Sequence, residues 1–268
     1  MRLVEKAGLI ACSFRTLPPF KLVRAATVRE AVSALASAER AAVLAGGTDL
    51  PARFNDGFSP SHLIVISGIS LLHSIAVVDG ALEIGAAVTH ADGSRHPLVK
   101  QNLSGFATAW SRIANVRVRF SATLGGNVMA RRARYEGALL LTALGATLRF
   151  ATTNGDIDLP AQQIWNTELP REALLTTIRI PLGPSLRFEY DRGLRPILTQ
   201  AVAVDDAGLH CIVTGTEHVQ PRVRTASDDG RLEPTTFSDP VTSDDYLNRV
   251  SEVLLVRQMG RLNARAHA

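Results

Sequence analysis

The chain has 268 residues, 46% of them hydrophobic and 20% charged, an ordinary globular composition long enough for one large domain or two modest ones. A net charge of +4 and an aromatic content of 5% exclude a nucleic-acid binder built on basic stripes and stacking platforms. Its two cysteines, Cys12 and Cys211, are too few for a four-thiolate iron–sulfur cluster or a zinc finger, and reduced thiols are expected.

In chain order, Ala7–Cys12 forms an apolar patch, short for a signal segment and preceded by Glu5. No apolar run approaches the roughly 20 residues of a membrane-spanning helix. A cytoplasmic protein without a membrane association, carrying an extension over residues 1–19, is expected. Phe20–Arg24 reads as a strand. Thr27 is placed to cap a helix, with Glu30 as its capping-box partner and Val28, Ala31, Val32, Leu35 and Ala36 at helical spacing. Val43–Leu44 is a second strand and Leu63–Ile66 a buried third. Ile75–Val78, Asp79–Gly80 and Ala81–Gly85 spell a hairpin with a type I′ turn. A broken helical stretch follows from His90 to Phe106, then helices over Phe106–Ile113 and Gly137–Leu144. Thr147–Ala151 and Ile157–Leu159 pair around Asn154–Gly155, and Leu174–Pro181 is a strand. Gly183–Pro184 marks a domain boundary. Beyond it come strands at Leu186–Tyr190, Gln200–Val204 and Leu209–Val213, a polar surface loop over 226–245, and a terminal helix from Tyr246 to Ala264 with Val250, Val253, Leu254 and Leu255 on its apolar side. The class is α+β.

Two glycine segments carry the chemistry. Leu44-Ala45-Gly46-Gly47-Thr48-Asp49 and Thr123-Leu124-Gly125-Gly126-Asn127 each read as a strand followed by a glycine turn. Such turns either are simple tight corners or present backbone N–H groups to a phosphate without a Cβ in the way. Thr48, Thr123 and Asn127 stand ready to add side-chain hydrogen bonds. The pattern is not GxGxxG, which disfavours a nicotinamide Rossmann domain. Between Gly93 and Tyr135 lie Arg95, Lys100, Arg112, Arg117, Arg119, Arg131, Arg132 and Arg134 with no Asp or Glu, a field that favours an anion. Arg119 is the arginine placed nearest a cofactor, whereas Arg131, Arg132 and Arg134 face either it or an acidic partner. Glu136 either accepts hydrogen bonds from ribose hydroxyls or pairs with an arginine. No catalytic residues stand out. There is no GxSxG elbow, and the seven histidines show no ligand spacing and read as surface or capping residues. Redox chemistry would have to come from a bound cofactor.

Val43–Leu50 and Ala122–Val128, in this order and with Ala45 and Thr123 about 78 residues apart, resemble the two FAD pyrophosphate loops of the FAD-binding (medium) subunits of molybdenum hydroxylases, the family of xanthine and carbon monoxide dehydrogenases. The resemblance runs from about Phe20 to Pro181. It implies a two-part FAD-binding domain of the vanillyl-alcohol-oxidase or PCMH type over 20–183. A small sheet-plus-helix C-terminal domain over 184–268 would follow. It implies an oxidoreductase subunit that binds FAD through Ala45–Asp49 and Thr123–Asn127, with Arg119 before the second loop, Glu136 at a position the family fills with Asp, and Leu174 or Leu175 near the flavin. A large molybdenum–pterin subunit and a small subunit with [2Fe-2S] clusters would deliver electrons, and NAD or oxygen would accept them. The chain departs from the family at Phe120, at Arg131–Tyr135 and at Asp191, which stands where a basic residue often occurs near the flavin. A free-standing flavin oxidoreductase of the same superfold and a flavin-free scaffold subunit are the alternatives.

Overall fold

The computed structural model describes residues 19–192, 197–206, 208–227 and 231–266. The expectations for residues 1–18, including Cys12, and for Asp228, Asp229 and His267 fall outside them, as does that for the side chain of His210.

Three parallel strands, β1 (Lys21–Arg24), β2 (Ala41–Leu44) and β3 (His62–Val65), pair in the order β1–β3–β2. Helix α1 (Val28–Ser37) connects the first two and packs Ala31, Val32 and Leu35 against Ile64, Ile66 and Leu72. Thr27 caps it, its Oγ1 accepting the Glu30 N–H at 3.1 Å. The Glu30 carboxylate accepts from Ala26 N at 2.9 Å, one residue upstream of the capping-box position. After the first glycine segment the chain turns at once into α2 (Leu50–Asn55), a helix with no counterpart in the sequence reading. Its proline sits in the first turn, where a missing N–H costs nothing.

A five-stranded antiparallel sheet forms the second layer, in the order β4–β5–β8–β6–β7. Its strands are β4 (Ile75–Val78), β5 (Ala81–Gly85), β6 (Thr147–Thr152), β7 (Gly155–Pro160) and β8 (Leu174–Pro181). The β4–β5 turn has φ 46° at Asp79 and 69° at Gly80, the pair of positive values a type I′ turn requires. Helices α3 (His90–Arg95), α4 (Pro97–Asn102), α5 (Ser104–Trp110), α6 (Val116–Arg119), α7 (Leu124–Met129) and α8 (Gly137–Ala143) cover the sheet. Proline starts α4, so the expected break lies between two helices.

The second glycine segment corrects the sequence reading. No strand precedes it; α6 does, and the segment itself opens α7. Thr123 is the helix N-cap, its Oγ1 accepting the Gly126 N–H at 3.0 Å. The reason is chemical: a threonine two residues before a glycine pair offers a cap, and nothing upstream supplies a β ladder.

Strands β9 (Arg187–Arg192), β10 (Thr199–Asp205), β11 (Gly208–Gly215) and β12 (Arg222–Arg224) form an antiparallel sheet in the order β12–β11–β10–β9, backed by α9 (Asp244–Ala266). Its inner residues Phe188, Tyr190, Ala201, Ala203 and Val213 share one core with Leu82, Trp110 and Leu140, so apolar packing runs without a break across Gly183. The buried stripe of α9 is Leu247, Ser251, Leu255, Gln258 and Leu262, whereas Val253 is exposed. Polar groups reach this stripe because Gln200 Nε2 donates to Gln258 Oε1 at 2.9 Å and Gln258 Nε2 donates to the Gln200 carbonyl at 2.9 Å. The 226–245 segment is likewise more than a surface loop, since Leu232 and Phe237 are buried. Among the described residues, no helix is long and apolar enough to cross a membrane.

Candidate functional site

Where the three-stranded sheet meets the five-stranded one, a cavity of about 650 Å³ opens, a volume within the range of cofactor sites. Twelve of the fifteen residues singled out by sequence line it: Ala45, Gly46, Gly47, Thr48, Asp49, Thr123, Gly125, Gly126, Asn127, Glu136, Leu174 and Leu175. The two glycine segments thus meet at one cavity although they lie far apart in the chain.

Close approach explains the glycines better than backbone freedom does. A Cβ on Gly46 would lie 1.9 Å from the Ser121 carbonyl oxygen, and one on Gly125 would lie 2.6 Å from that of Ala86. The first contact docks the first segment onto the residues leading into the second, and the other seats α7 on the end of β5. Of the four glycines in the two segments, only Gly47, at φ +65°, occupies the left-handed region.

Among the described residues, the backbone N–H groups of Gly46, Gly47, Thr48 and Asp49 have no hydrogen-bond partner. Four consecutive donors beside a cavity make a cradle for an anion. The second segment is more fully used: Leu124 and Gly125 donate to the carbonyls of Val88 and Ala86, both at 3.0 Å. Asn127 Oδ1 accepts the Gly137 N–H at 2.8 Å and so caps α8, leaving its amide NH₂ as the group able to donate to a ligand.

Three residues do not line the cavity. Leu44 packs beneath Gly47, and Leu124 is buried in the main core. Arg119 is buried, and its guanidinium ties loops together. It donates to the carbonyls of Trp110 (3.0 Å), Ile113 (3.2 Å), His90 (3.3 Å) and Ser111, and to Ser94 Oγ (2.8 Å). Its place is behind the wall formed by His90, Ile113 and Ala114.

His90 corrects the reading of the histidines as surface or capping groups. It is fully buried at the cavity wall, and its Nδ1 accepts from Trp110 Nε1 at 2.7 Å. Nε2 therefore carries the proton of the neutral ring and has no partner among the described residues. Burial, helped by Arg119, lowers its pKa to about 4.

Glu136 is buried, and Arg192 Nε stands 2.9 Å from its Oε1 as an ion pair. Burial raises the Glu136 pKa, with Arg192 and the neighbouring Tyr190 opposing the shift. Asp191, at the position where the family often has a basic residue, pairs with Arg261 away from this cavity, whereas Arg192, one residue on, lines it. At the opposite end, Asp49 Oδ1 accepts from Arg132 Nε at 2.7 Å and from the Tyr135 hydroxyl at 2.8 Å. Phe58, Arg53, Tyr135 and Arg192 also line the cavity, a place the sequence reading did not give them. The acid-free arginine stretch was the one signal that pointed toward Arg132–Tyr135. Nothing local marks Phe58 or Arg192.

The cavity combines a backbone anion cradle, a buried carboxylate able to accept hydroxyl hydrogen bonds, and apolar walls from Leu174, Leu175 and Ile113. Those are the groups a dinucleotide with an aromatic end would require. Among the described residues, no cluster of three or more His, Cys, Asp or Glu is placed to hold a metal ion.

The family described as the FAD binding domain in molybdopterin dehydrogenase matches residues 18–183. The FAD subunit of nicotinate dehydrogenase from Eubacterium barkeri is 27% identical over 185 residues, covering 63% of this chain and 62% of that protein; the match thus spans less than two thirds of that relative's length. The medium subunit of nicotine 6-hydroxylase from Paenarthrobacter nicotinovorans is 25% identical over 280 residues, covering 93% of this chain and 99% of that protein. A chain of the crystal structure of quinoline 2-oxidoreductase from Pseudomonas putida 86 shares the fold with a TM-score of 0.82, at 23% identity, covering 95% of this chain and 100% of that one.

Proposed function

This chain belongs to the family of FAD-binding domains in molybdopterin dehydrogenases, and we propose that it is the FAD-binding medium subunit of a multi-subunit molybdenum hydroxylase. The observation that carries this reading is the meeting of the two glycine segments at one cavity, with four unpaired N–H groups on the first of them. In the proposed arrangement, residues 20–183 form a two-part domain of the PCMH type and residues 184–268 a C-terminal domain. Gly46–Asp49 hold the pyrophosphate, with Thr123 and Asn127 at its other side. Glu136, kept in place by Arg192, accepts from ribose hydroxyls. Leu174 and Leu175 wall the flavin end and exclude water there. Arg119 and His90 act through the protein, by fixing the loop from Trp110 to Ile113 against α3.

Bound FAD would supply the redox chemistry, taking electrons from iron–sulfur clusters on a small subunit and passing them to an acceptor such as NAD or oxygen. The substrate would be oxidised at a molybdenum–pterin centre on a large subunit.

Affinity purification of the full chain from its native cell tests the proposal. Two further chains, molybdenum and iron should come down with it, together with FAD. A stable single chain that oxidises a substrate by itself would replace this reading with that of a free-standing flavin oxidoreductase.

A further inference from the structure

Three arginines lie in the loop between α7 and α8, and two of them are committed. Arg131, at φ 48°, donates through Nη2 to the Thr167 carbonyl at 3.1 Å. Arg132 Nε and the Tyr135 hydroxyl both hold Asp49 Oδ1. The loop is thereby pinned on both sides, once to the 160s segment and twice to the last residue of the first glycine segment. Arg134 lies between these pins. It lines the cavity, it is exposed, and among the described residues it has no hydrogen-bond or ion-pair partner. Its guanidinium stands 5.7 Å from the centroid of the Tyr135 ring, the ring whose hydroxyl reaches Asp49.

The surrounding charges favour an anion. Asp49 is paired with Arg132 and Glu136 with Arg192, which leaves exposed Glu217 against Arg53 and Arg134 among the ionisable groups that line the cavity. Arg53 is stacked on the Phe58 ring at 4.0 Å. Arg134 is therefore the open cation beside Tyr135, whose hydroxyl holds Asp49 at the end of the N–H cradle. We infer that Arg134 binds a phosphate oxygen of the dinucleotide in this cavity, and that the Asp49–Arg132–Tyr135 cluster is the positioning device that holds it there. This inference rests on the FAD reading above and extends it to a residue outside the two glycine segments.

The test is calorimetric titration of the full chain, stripped of flavin, with FAD and separately with ADP. Arg134→Met should weaken both ligands by about tenfold, the loss expected for one charge-assisted hydrogen bond made near solvent. It should also flatten the salt dependence of binding, because a screened charge has been removed. Arg134→Lys should recover part of the affinity, and Arg132→Met should weaken both ligands by a similar factor. Arg249→Met, altering an exposed arginine of α9 outside this cavity, is the control and should change neither. Because Arg134 is exposed, its variants should melt like the parent chain. Binding of both ligands by Arg134→Met within twofold of the parent would overturn the inference. A parent chain that binds ADP but no FAD would overturn the flavin reading, while the ADP series would still decide on Arg134. A parent that binds neither would overturn both.

Discussion

Replacing Gly46 with alanine places a methyl group 1.9 Å from the Ser121 carbonyl oxygen and 2.6 Å from its carbonyl carbon. Non-bonded carbon contacts settle near about 3.5 Å, so the segments must part by roughly 1.5 Å. Both obstructing atoms are backbone, and no flexible side chain stands there to yield. The Ser121–Ala122 stretch is itself held, since Ala122 N donates to the Val118 carbonyl at 2.7 Å and its carbonyl accepts from His90 N at 2.9 Å. The displacement therefore falls on the relative position of Gly46–Asp49 and Thr123–Asn127, the two halves of the proposed cradle. Overpacking of this kind costs about 1–3 kcal/mol. If FAD binding requires the native spacing, the same free energy appears as a roughly 5- to 150-fold loss of affinity. Gly47→Ala is the contrast. Its Cβ would meet only Leu44 Cδ1 at 3.3 Å, and its penalty is the left-handed backbone, about 1–2 kcal/mol. Fluorescence titration with FAD, alongside thermal unfolding of the flavin-free chain, measures both terms. A Gly46→Ala chain with the parent's melting temperature and FAD affinity within twofold would refute the claim that this contact sets the cavity.

Other changes probe the same wall. His90 has its pKa lowered to about 4 in the fold, against about 6.5 when unfolded, so the unfolded chain binds more protons between these values. Its contribution is fully present above pH 6.5 and is lost as pH falls toward 4, about 3 kcal/mol in all. Urea unfolding should show a shallower loss in His90→Asn than in the parent. Glu136 has the opposite sign. Its pKa is raised, so stability declines as pH rises from the ordinary carboxylate range through the raised value, and thermal melts of Glu136→Gln should lack that decline. Thr123→Ala removes the cap on α7 and should cost about 1 kcal/mol by denaturant unfolding, with Thr123→Ser close to the parent. Gly126→Val crowds Thr123 Oγ1, which would lie 2.9 Å from the new Cβ, and should abolish FAD binding. Stoichiometric flavin in that variant would contradict the assignment of the second segment.

Most of the strands were legible because their signals are local. The Asp79–Gly80 turn and the run Leu174–Pro181 each carry their own pattern within a few residues, and the structure places β8 over the same span. Helix α2 was not, because six residues with a proline and a single buried leucine show no period. The second glycine segment looked like the first in sequence. Its conformation is decided instead by the Thr123 cap and by the approach of α7 to Ala86, neither of which a glycine pair reveals. The apolar stripe of α9 was misread at Val253 because Ser251 and Gln258, polar by type, are buried in a network with Gln200. Arg119 carried the right charge in the right neighbourhood, yet its guanidinium meets the carbonyls of Trp110, Ser111 and Ile113. Arg192 enters the cavity from β9, and Phe58 from the loop after α2, where it packs on Phe54 and Arg53; no spacing rule encodes either placement.

The cofactor content of the purified full chain tests the central claim most directly. One flavin per chain, released on denaturation as FAD and not FMN, and restored by FAD after stripping, is the expected result. A colourless chain that takes up no FAD at concentrations saturating for related subunits would contradict the account and leave a flavin-free scaffold in its place.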